Sequence, residues 1–416
     1  MISLWKLRKI DLMPILRILI DGRTIKNNPS GLGIWNLQLV RHLVKYENIQ
    51  LFLILTKNCD YDFSNDGLLS PFLKEKLILI NSNHDYKFVS LDRFVFEQFQ
   101  LPKIIQRLKI DLYHATDSFG IPINLPKKIK VMLTIHDLIP LTPYREYLNW
   151  QQFLIYRVSL FLSIKRANLI TAISDKTKTD IKHYLQPKTN VVAVYDGVDE
   201  PTLYSEKIID KAFVQLNQQY LLKKQQYLLY YGGFGPRRNT ETLIKVLRQL
   251  IDQQIVSPDF KLVLSGRIKN AKTQALLILN GLKNLIKNLK LQDNVVIIDY
   301  LMPESKAALI KNSSLFVTLT LYEGFGLTPM EVIKYNKYAL TTRTGIWHQF
   351  PSLNNIFIIE DPFSIPEISH KVSLIIQNSS NLKADYQKMV NFTKVFQWSS
   401  MAKNYFKLYG KIIKTI

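Results

Sequence analysis

The feature that most limits the possible folds is an alternation, along nearly the whole chain, of short apolar runs with longer segments of helical periodicity. The runs have the length of buried strands, and residues such as Ile34, Leu37 and Val40 recur at helical spacing. Parallel strands need long crossover connections, which helices supply. The alternation therefore predicts an α/β fold with parallel sheets that helices cover on both faces.

The predicted elements form two series, and each series predicts one sheet. In the first half the predicted strands are 17–21, 50–56, 77–81, 111–114, 131–135, 169–173 and 191–195, with Ser174 as the cap of a following helix. In the second half strands 227–231, 261–265, 294–299, 315–319 and 338–342 alternate with helices 240–252, 271–289, 304–311 and 329–335. The polar tract 200–226 separates the series. Two doubly wound, Rossmann-like units in tandem would leave a cleft between the carboxyl ends of their strands, where such sheets bind ligands.

Charge and cysteine content limit the partners and locations that fit this chain. The net charge of +22 favours an anionic partner, namely membrane lipid, nucleic acid or a phosphorylated substrate; a coding bias toward Lys, Ile and Asn is the alternative. The single cysteine, Cys59, excludes a disulfide framework and fits a reducing compartment. The first twenty residues are too polar for a signal peptide, and the apolar run 153–162 is too short to span a bilayer. We therefore expect a cytoplasmic protein, either soluble or on a membrane surface.

The most informative segment lies between the strand at 315–319 and the following helix. Its glycines, Gly324 and Gly326, allow backbone N–H groups to approach a ligand closely. Glu323 and Glu331 bracket the loop, and carboxylates suit hydroxyl groups, while backbone donors suit phosphate and sugar oxygens. The combination predicts a site for a nucleotide-linked sugar. The structural alternative is that Thr-x-x-Glu, ending at Glu331, forms a capping box at the start of the helix.

A second glycine-bearing turn, 232–239, joins the strand 227–231 to its helix. Gly233 permits a tight turn, and the adjacent Arg237 and Arg238 present planar cationic groups suited to a diphosphate. A pair of solvated charges is the alternative. Cations at a helix start oppose the helix dipole, however, so their position there favours phosphate binding.

Two weaker candidates lie in the first half. Gly31 and Gly33 belong to a polar turn, 27–33, which is predicted to join the first strand to a helix that begins after Gly33. A plain flexible turn explains these glycines equally well, and they do not complete a dinucleotide-binding fingerprint. His136 and Asp137 follow the strand 131–135, at the end of a sheet where chemistry collects in such folds. The alternative for His136 is a histidine that caps the following turn.

Taken together, these residues resemble the retaining glycosyltransferases of family 4, which have the two-domain GT-B fold. The most specific element is Glu323-Gly324-Phe325-Gly326-Leu327 followed by Glu331, which is similar to the family's two glutamates separated by seven residues. Pro236-Arg237-Arg238-Asn239 resembles the family's Pro-Arg-Lys-Asn, and Ser30-Gly31-Leu32-Gly33 resembles its Thr-Gly-Ile-Gly.

The resemblance also implies an organisation of the chain. The segment that begins Phe396-Gln397-Trp398-Ser399 is similar to the start of a last helix that crosses back to the first domain. We therefore expect an acceptor-side domain at 1–205, a nucleotide-sugar-binding domain at 206–395, and a returning helix at 396–416.

For each matched residue the resemblance implies a role. Glu331 would hold the ribose hydroxyls, and Glu323 would contact hydroxyls of the donor sugar. Arg237 and Arg238 would neutralise the departing nucleotide diphosphate, normally a large effect in such chemistry, and His136 would lie beside the reacting carbon. The other expected donor-binding residues are Gly31, Gly33, Gly233, Gly324, Phe325, Gly326 and Leu327. No metal is expected, and no cofactor besides the nucleotide-sugar co-substrate.

Several positions depart from the family pattern. Arg238 stands where lysine is usual, and Gly233 stands where many members carry another cation. Thr328 replaces a frequent proline, and Asn336-Lys337-Tyr338 replaces the common Gly-Thr-Pro. These departures bear on the identity of the donor more than on the fold.

The expected function is transfer of a hexose, with a preference for mannose, from a nucleotide-sugar to a glycan or lipid-linked acceptor in polysaccharide biosynthesis, with retention at the anomeric carbon. The basic excess adds an anionic membrane surface as an expected partner on the cytoplasmic side, where each cation contributes about 1 kcal/mol. Two alternatives keep the fold: a sugar-nucleotide epimerase, and a phosphorylase with lysine-bound pyridoxal phosphate. A basic nucleic-acid-binding protein is supported by charge alone, so no nucleic acid partner is expected.

Overall fold

In the computed structural model of the protein, the described residues are 15–27, 30–84, 87–145, 148–198, 204–266, 268, 273–299, 301–350, 355–378 and 386–414. They form two α/β domains, each built on one parallel sheet. Within these ranges, no helix combines the length and the apolar content that crossing a bilayer requires.

The first domain contains a sheet of seven described strands. They are β1 (Leu16–Asp21), β2 (Ile49–Leu55), β3 (Leu77–Asn81), β4 (Leu112–Ala115), β5 (Lys130–Ile135), β6 (Leu169–Ala172) and β7 (Val191–Ala193). Their order across the sheet is β3-β2-β1-β4-β5-β6-β7, and the paired strands are parallel. The helices are α1 (Gly31–Leu43), α2 (Leu91–Val95), α3 (Leu101–Arg107), α4 (Trp150–Arg166) and α5 (Asp175–Leu185). A π-helical turn, Phe96–Gln100, joins α2 to α3.

The second domain contains a sheet of six described strands. In chain order its elements are α6 (Glu206–Tyr220), β8 (Tyr227–Tyr231), α7 (Thr240–Asp252), β9 (Lys261–Ser265), α8 (Thr273–Asn288), β10 (Val295–Ile298), α9 (Pro303–Asn312), β11 (Leu315–Thr318), α10 (Leu327–Ile333), β12 (Ala339–Thr342), β13 (Ile356–Ile359), α11 (Ile365–Gln377) and α12 (Tyr386–Val395). The strand order is β10-β9-β8-β11-β12-β13, again with parallel pairing.

The last helix, α13 (Trp398–Lys414), packs on the first domain rather than on the second. Its buried residues Met401, Tyr405 and Tyr409 belong to the same apolar cluster as β1 and α1. The Tyr409 hydroxyl lies 2.7 Å from Nδ1 of the buried His114, at the centre of the first sheet. Two separate parts of the chain, the N-terminal half and α13, therefore form the core of the first domain.

The two sheets confirm the predicted fold class, and the predicted strands recur with ends shifted by at most two residues. The buried strands are continuous apolar runs because helices cover both faces of a parallel sheet. Two helix starts were predicted wrongly: α1 begins at Gly31 rather than after Gly33, and α10 begins at Leu327 rather than at Pro329. The polar tract 200–226 contains the amphipathic helix α6, which packs against the second sheet. Residues 271–272 of the predicted helix lie outside the described residues.

Candidate active site

Each sheet has one point at which the strand order reverses, between β1 and β4 in the first domain and between β8 and β11 in the second. Loops at the carboxyl ends of the two strands diverge at such a point and leave a crevice for a ligand. The turn 232–239 follows β8, and the glycine loop 319–326 follows β11. The two segments selected from the sequence therefore border the same crevice of the second domain.

The glycine loop is held in a backbone conformation that depends on Gly326. This residue has φ +93° and precedes the first turn of α10, a conformation that side-chain-bearing residues rarely adopt. A Cβ there would lie 2.9 Å from the indole nitrogen of Trp347, which itself donates a hydrogen bond to the Gly326 carbonyl oxygen at 3.1 Å. Buried Phe325 anchors the loop, since its carbonyl oxygen accepts a hydrogen bond from the Ile346 N–H at 2.8 Å.

Arg237, Arg238 and Glu323 form one charged cluster, which we call the arginine cluster. The Arg237 guanidinium lies 3.2 Å from the Glu323 carboxylate, and Arg238 pairs with the same carboxylate. Arg237 also donates to the carbonyl oxygen of Tyr322 at 2.9 Å. The three side chains are only 15–21% exposed, so their charges act on one another with little screening by water. Two cations share one anion, and the cluster has a net positive charge suited to phosphate.

Glu331 lies in a second polar group. Its carboxylate accepts a hydrogen bond from the Tyr231 hydroxyl at 2.8 Å and pairs with the Lys306 ammonium group, which lies 4.6 Å from the centre of the Tyr231 ring. The capping-box alternative is wrong, because α10 is preceded by Gly326 and has no side-chain cap. Glu331 and Lys306 are both more than a third exposed, which leaves the carboxylate accessible to hydroxyl groups of a ligand.

The glycine loop also contacts the first domain. The Ser174 and Thr177 hydroxyls donate to the Gly324 carbonyl oxygen at 2.5 and 3.2 Å, and a Cβ on Gly324 would overlap the carbonyl oxygen of His136. Ser174 caps α5, as predicted, by accepting from the Thr177 N–H. The Tyr322 hydroxyl donates to Asp180 at 3.0 Å. These contacts bring His136 and the arginine cluster to one interdomain cleft.

His136 lies half-buried in the wall of this cleft. Its Nε2 lies 2.9 Å from the Thr116 carbonyl oxygen. Its ring packs edge-to-face against Trp35, with the ring centroids 4.9 Å apart. Burial lowers the pKa of His136 to about 4, so the ring is neutral at pH 7. Because a carbonyl oxygen can only accept, Nε2 is the protonated nitrogen, and Nδ1 is left as an acceptor. Burial raises the pKa of the adjacent Asp137, against the lowering effect of the Arg237 charge.

A cavity of about 460 Å³ opens at the β1–β4 crevice, and His136, Asp137, Asp117 and Tyr156 contribute to its lining. Ser30 and Leu32 also line it; they flank Gly31 at the start of α1. Gly33 is a buried residue of the first turn of α1. Of the predicted glycines in the second domain, Gly233 is the most open, with no atom within 4 Å of a Cβ built there.

A buried ion network supports the floor of this cavity. Arg23 bridges Asp21 and Glu97 at 2.7 and 2.6 Å, and Arg93 bridges Glu97 and Asp117 at 2.6 and 2.8 Å. All five side chains are at most 4% exposed. Sequence reasoning missed this network and also Lys306. These residues pair with side chains from other parts of the chain, so no local sequence pattern indicates the pairing.

Two parallel-sheet domains of this kind define the GT-B class of glycosyltransferases. Residues 214–393 match the model for glycosyl transferases group 1, and residues 29–200 match the model for glycosyltransferase family 4. The matches lie in both halves, and the chain belongs to the family 4 glycosyltransferases, which confirms the family inferred from the motifs.

Similar proteins agree with this assignment. The serotype-specific mannosyltransferase WbdA of Escherichia coli is 23% identical over 295 residues, which are 69% of this chain and 34% of that protein. The chain thus spans about one third of the length of the first curated relatives it matches. The O-antigen chain mannosyltransferase B of E. coli is 22% identical over 398 residues, 92% of this chain and 97% of that protein. The structure of HepE from Anabaena in complex with UDP and glucose superposes with a TM-score of 0.67 at 16% identity, covering 95% of this chain and 100% of that one.

Proposed function

We propose that this glycosyltransferase moves a hexose, with mannose favoured, from a nucleotide-sugar to a hydroxyl of a glycan or lipid-linked acceptor, with retention at the anomeric carbon. The main support is the arginine cluster, which borders the β8–β11 crevice. The residue after Glu323, Gly324, lies directly against the His136 carbonyl group of the first domain. Such a cluster can stabilise the negative charge that develops on a departing diphosphate.

In this proposal the residues of the cleft have separate roles. The diphosphate draws Arg237 and Arg238 away from Glu323, and the freed carboxylate then accepts hydrogen bonds from hydroxyls of the donor sugar. Glu331 accepts from the ribose hydroxyls at the other end of the donor. Neutral His136 can accept a hydrogen bond from a sugar hydroxyl at Nδ1, because its Nε2 is engaged with Thr116.

The chemical step balances without a protein base. The bond between the anomeric carbon and the diphosphate oxygen breaks, and the acceptor oxygen bonds to that carbon on the same face. The acceptor proton passes to an oxygen of the leaving diphosphate. The two arginines supply the positive charge that a divalent cation supplies in other sugar-transferring enzymes, so the proposal includes activity without added metal.

The sugar and the biological role rest on the relatives. The mannosyltransferase names, and the O-antigen role that the second of them states, favour mannose and polysaccharide biosynthesis. HepE, by contrast, was solved with UDP and glucose. A panel of donors is therefore most informative about which nucleotide base the donor carries.

A panel of GDP- and UDP-linked sugars tests the proposal. We expect one donor, GDP-mannose first among them, to raise the melting temperature of the protein and to release nucleoside diphosphate when acceptor is added. Release should persist in EDTA, and NMR of the product should show the anomeric configuration of the donor. Arg237→Ala should abolish release, whereas Arg343→Ala, which removes an exposed ion pair with Glu360, should not.

Four results would contradict the proposal in whole or in part. Failure of every donor to shift the melting temperature would remove the donor site. Conversion of a nucleotide-sugar to its epimer without acceptor would indicate the epimerase, and pyridoxal absorbance in the purified protein would indicate the phosphorylase. An inverted product would refute the stereochemical part alone.

The proposal includes a location. A net charge of +22 suits contact with anionic lipid, so we propose that the protein acts in the cytoplasm, at the inner face of a membrane that presents a lipid-linked acceptor.

A further inference from the structure

The outer face of α4 is apolar and basic. Of its exposed side chains, four are apolar and between 43% and 73% exposed, and they recur at helical spacing: Trp150, Leu154, Val158 and Phe161. The other exposed positions of the helix are Gln151, Arg157 and Lys165. No Asp or Glu occurs in the sequence from 147 to 174. A water-facing helix normally presents charged residues of both signs on this face, so the pattern calls for a partner.

A groove continues this face toward the end of α5. Its volume is about 650 Å³, and its apolar lining includes Phe153, Phe161, Ile164 and Tyr184. The charged side chains among its described lining residues are all cations: Arg157, Lys165 and Lys188. An apolar surface bordered by cations alone matches the chemistry of an anionic lipid, which offers hydrocarbon and phosphate side by side.

We infer that this surface, which we call the α4 face, docks the protein on a bilayer that contains anionic phospholipid. Trp150, Leu154, Val158 and Phe161 enter the interfacial layer, and Arg157, Lys165 and Lys188 meet lipid phosphates. The occupant is the bilayer rather than a second protein, because a cation-only border complements phosphate and repels an identical copy of itself.

The position of α4 connects this docking to catalysis. Tyr156 lies on the buried face of the same helix and lines the cavity that contains His136 and Asp137. A helix is about 10 Å across, so an acceptor anchored in the bilayer has roughly that distance to travel to the cavity. Only this link between docking and catalysis rests on the proposed function, because lipid binding itself requires neither a donor nor sugar transfer.

Vesicle sedimentation at physiological salt tests the α4 face without substrate. We expect the protein to pellet with phosphatidylglycerol–phosphatidylethanolamine vesicles and not with phosphatidylcholine vesicles. Replacing Arg157 and Lys165 by Gln should lower the partition coefficient roughly 25-fold, from about fivefold for each cation. The matched control, Lys245→Gln with Lys283→Gln, removes the same charge from exposed positions of α7 and α8 and should change binding by less than about threefold.

A second pair of variants tests the apolar stripe. Leu154→Ser with Phe161→Ser should weaken binding roughly tenfold, whereas Phe363→Ser with Leu374→Ser, similarly exposed residues of the second domain, should have little effect. Melting temperatures near that of wild type would show that the variants are folded. Nucleoside diphosphate release with a water-soluble acceptor should be unchanged in the α4 variants, so that loss of docking is distinguishable from failure of the proposed chemistry.

Several results would overturn the inference. Wild-type protein that pellets with neither vesicle type excludes bilayer docking. Equal loss of binding in the control pairs assigns binding to diffuse charge, and unchanged binding in the α4 pairs removes this face from it. A dimer that the α4 substitutions dissociate, without vesicle binding, assigns the face to a second copy of the chain.

Discussion

Replacing Gly324 by Ala should disrupt the contact between the glycine loop and the first domain. Gly324 does not have a positive φ, so the backbone conformation itself permits alanine. The added Cβ, however, would overlap the carbonyl oxygen of His136 and would lie 3.3 Å from Cβ of Asp137. The effect of this substitution therefore comes from the interdomain contact and not from backbone strain.

Two contributions determine the magnitude. Forcing a methyl group into packed space costs roughly 1–3 kcal/mol. If the loop moves away instead, the Ser174 and Thr177 hydroxyls lose the Gly324 carbonyl oxygen as acceptor, at about 1 kcal/mol each. Either response should destabilise the protein by roughly 2–3 kcal/mol and lower the melting temperature by about 5–10 °C. A loop displacement of about 1 Å should reduce kcat/KM on the order of 100-fold.

The matched control is Gly233→Ala, in the neighbouring turn. No atom lies within 4 Å of a Cβ at Gly233, so this variant should melt within a few degrees of wild type. Differential scanning fluorimetry and steady-state release of nucleoside diphosphate measure both effects. If Gly324→Ala retains the melting temperature and kcat/KM of wild type, the glycine loop does not pack on His136 in solution. The two domains then do not form the interdomain cleft through this contact.

Three further predictions concern the buried charges and Glu331. Glu97→Ala removes the carboxylate that two buried arginines share and should lower the free energy of unfolding, measured in urea, by roughly 3–5 kcal/mol. The control Glu206→Ala, in a largely exposed ion pair, should lower it by less than about 1 kcal/mol. Equal effects of the two substitutions would refute the buried network. Glu331→Gln should abolish the donor-induced melting shift while altering the free protein by about 1 kcal/mol or less; an undiminished shift would exclude Glu331 from the donor site. Burial lowers the pKa of His114 to about 3 and of His136 to about 4, so below pH 6.5 the unfolded chain binds protons that the folded protein does not. Stability should therefore fall between pH 6.5 and 5 by up to about 1.4 kcal/mol per pH unit for each histidine, and a flat profile in urea titrations would contradict it.

The strands could be predicted from the sequence because each buried strand of a parallel sheet is visible locally, as a short apolar run. A strand such as β8 is one uninterrupted apolar run, and its limits, Tyr227–Tyr231, were predicted correctly. The start of α10 was predicted wrongly because proline is only one of several helix-start signals. The left-handed conformation of Gly326 and its contact with Trp347 fix the start two residues earlier, and Trp347 is distant in the sequence.

The candidate site was predictable in its residue types and not in its pairings. Arg237, Arg238 and Glu323 were all selected from motifs, but their mutual contact depends on β8 and β11 being neighbours. Lys306 was missed because a single lysine on an ordinary amphipathic helix has no distinguishing pattern. Its pairing with Glu331 requires α9 and α10 to be brought together by the sheet.

The return of α13 to the first domain has a consequence for biosynthesis. Ribosomes produce the first domain early, yet its apolar centre requires Tyr405 and Tyr409, which are translated only after the second domain. Until those residues emerge, the nascent first domain has an uncovered apolar surface that chaperones can recognise. A stop codon placed directly before α13 should therefore misfold the domain that was synthesised first.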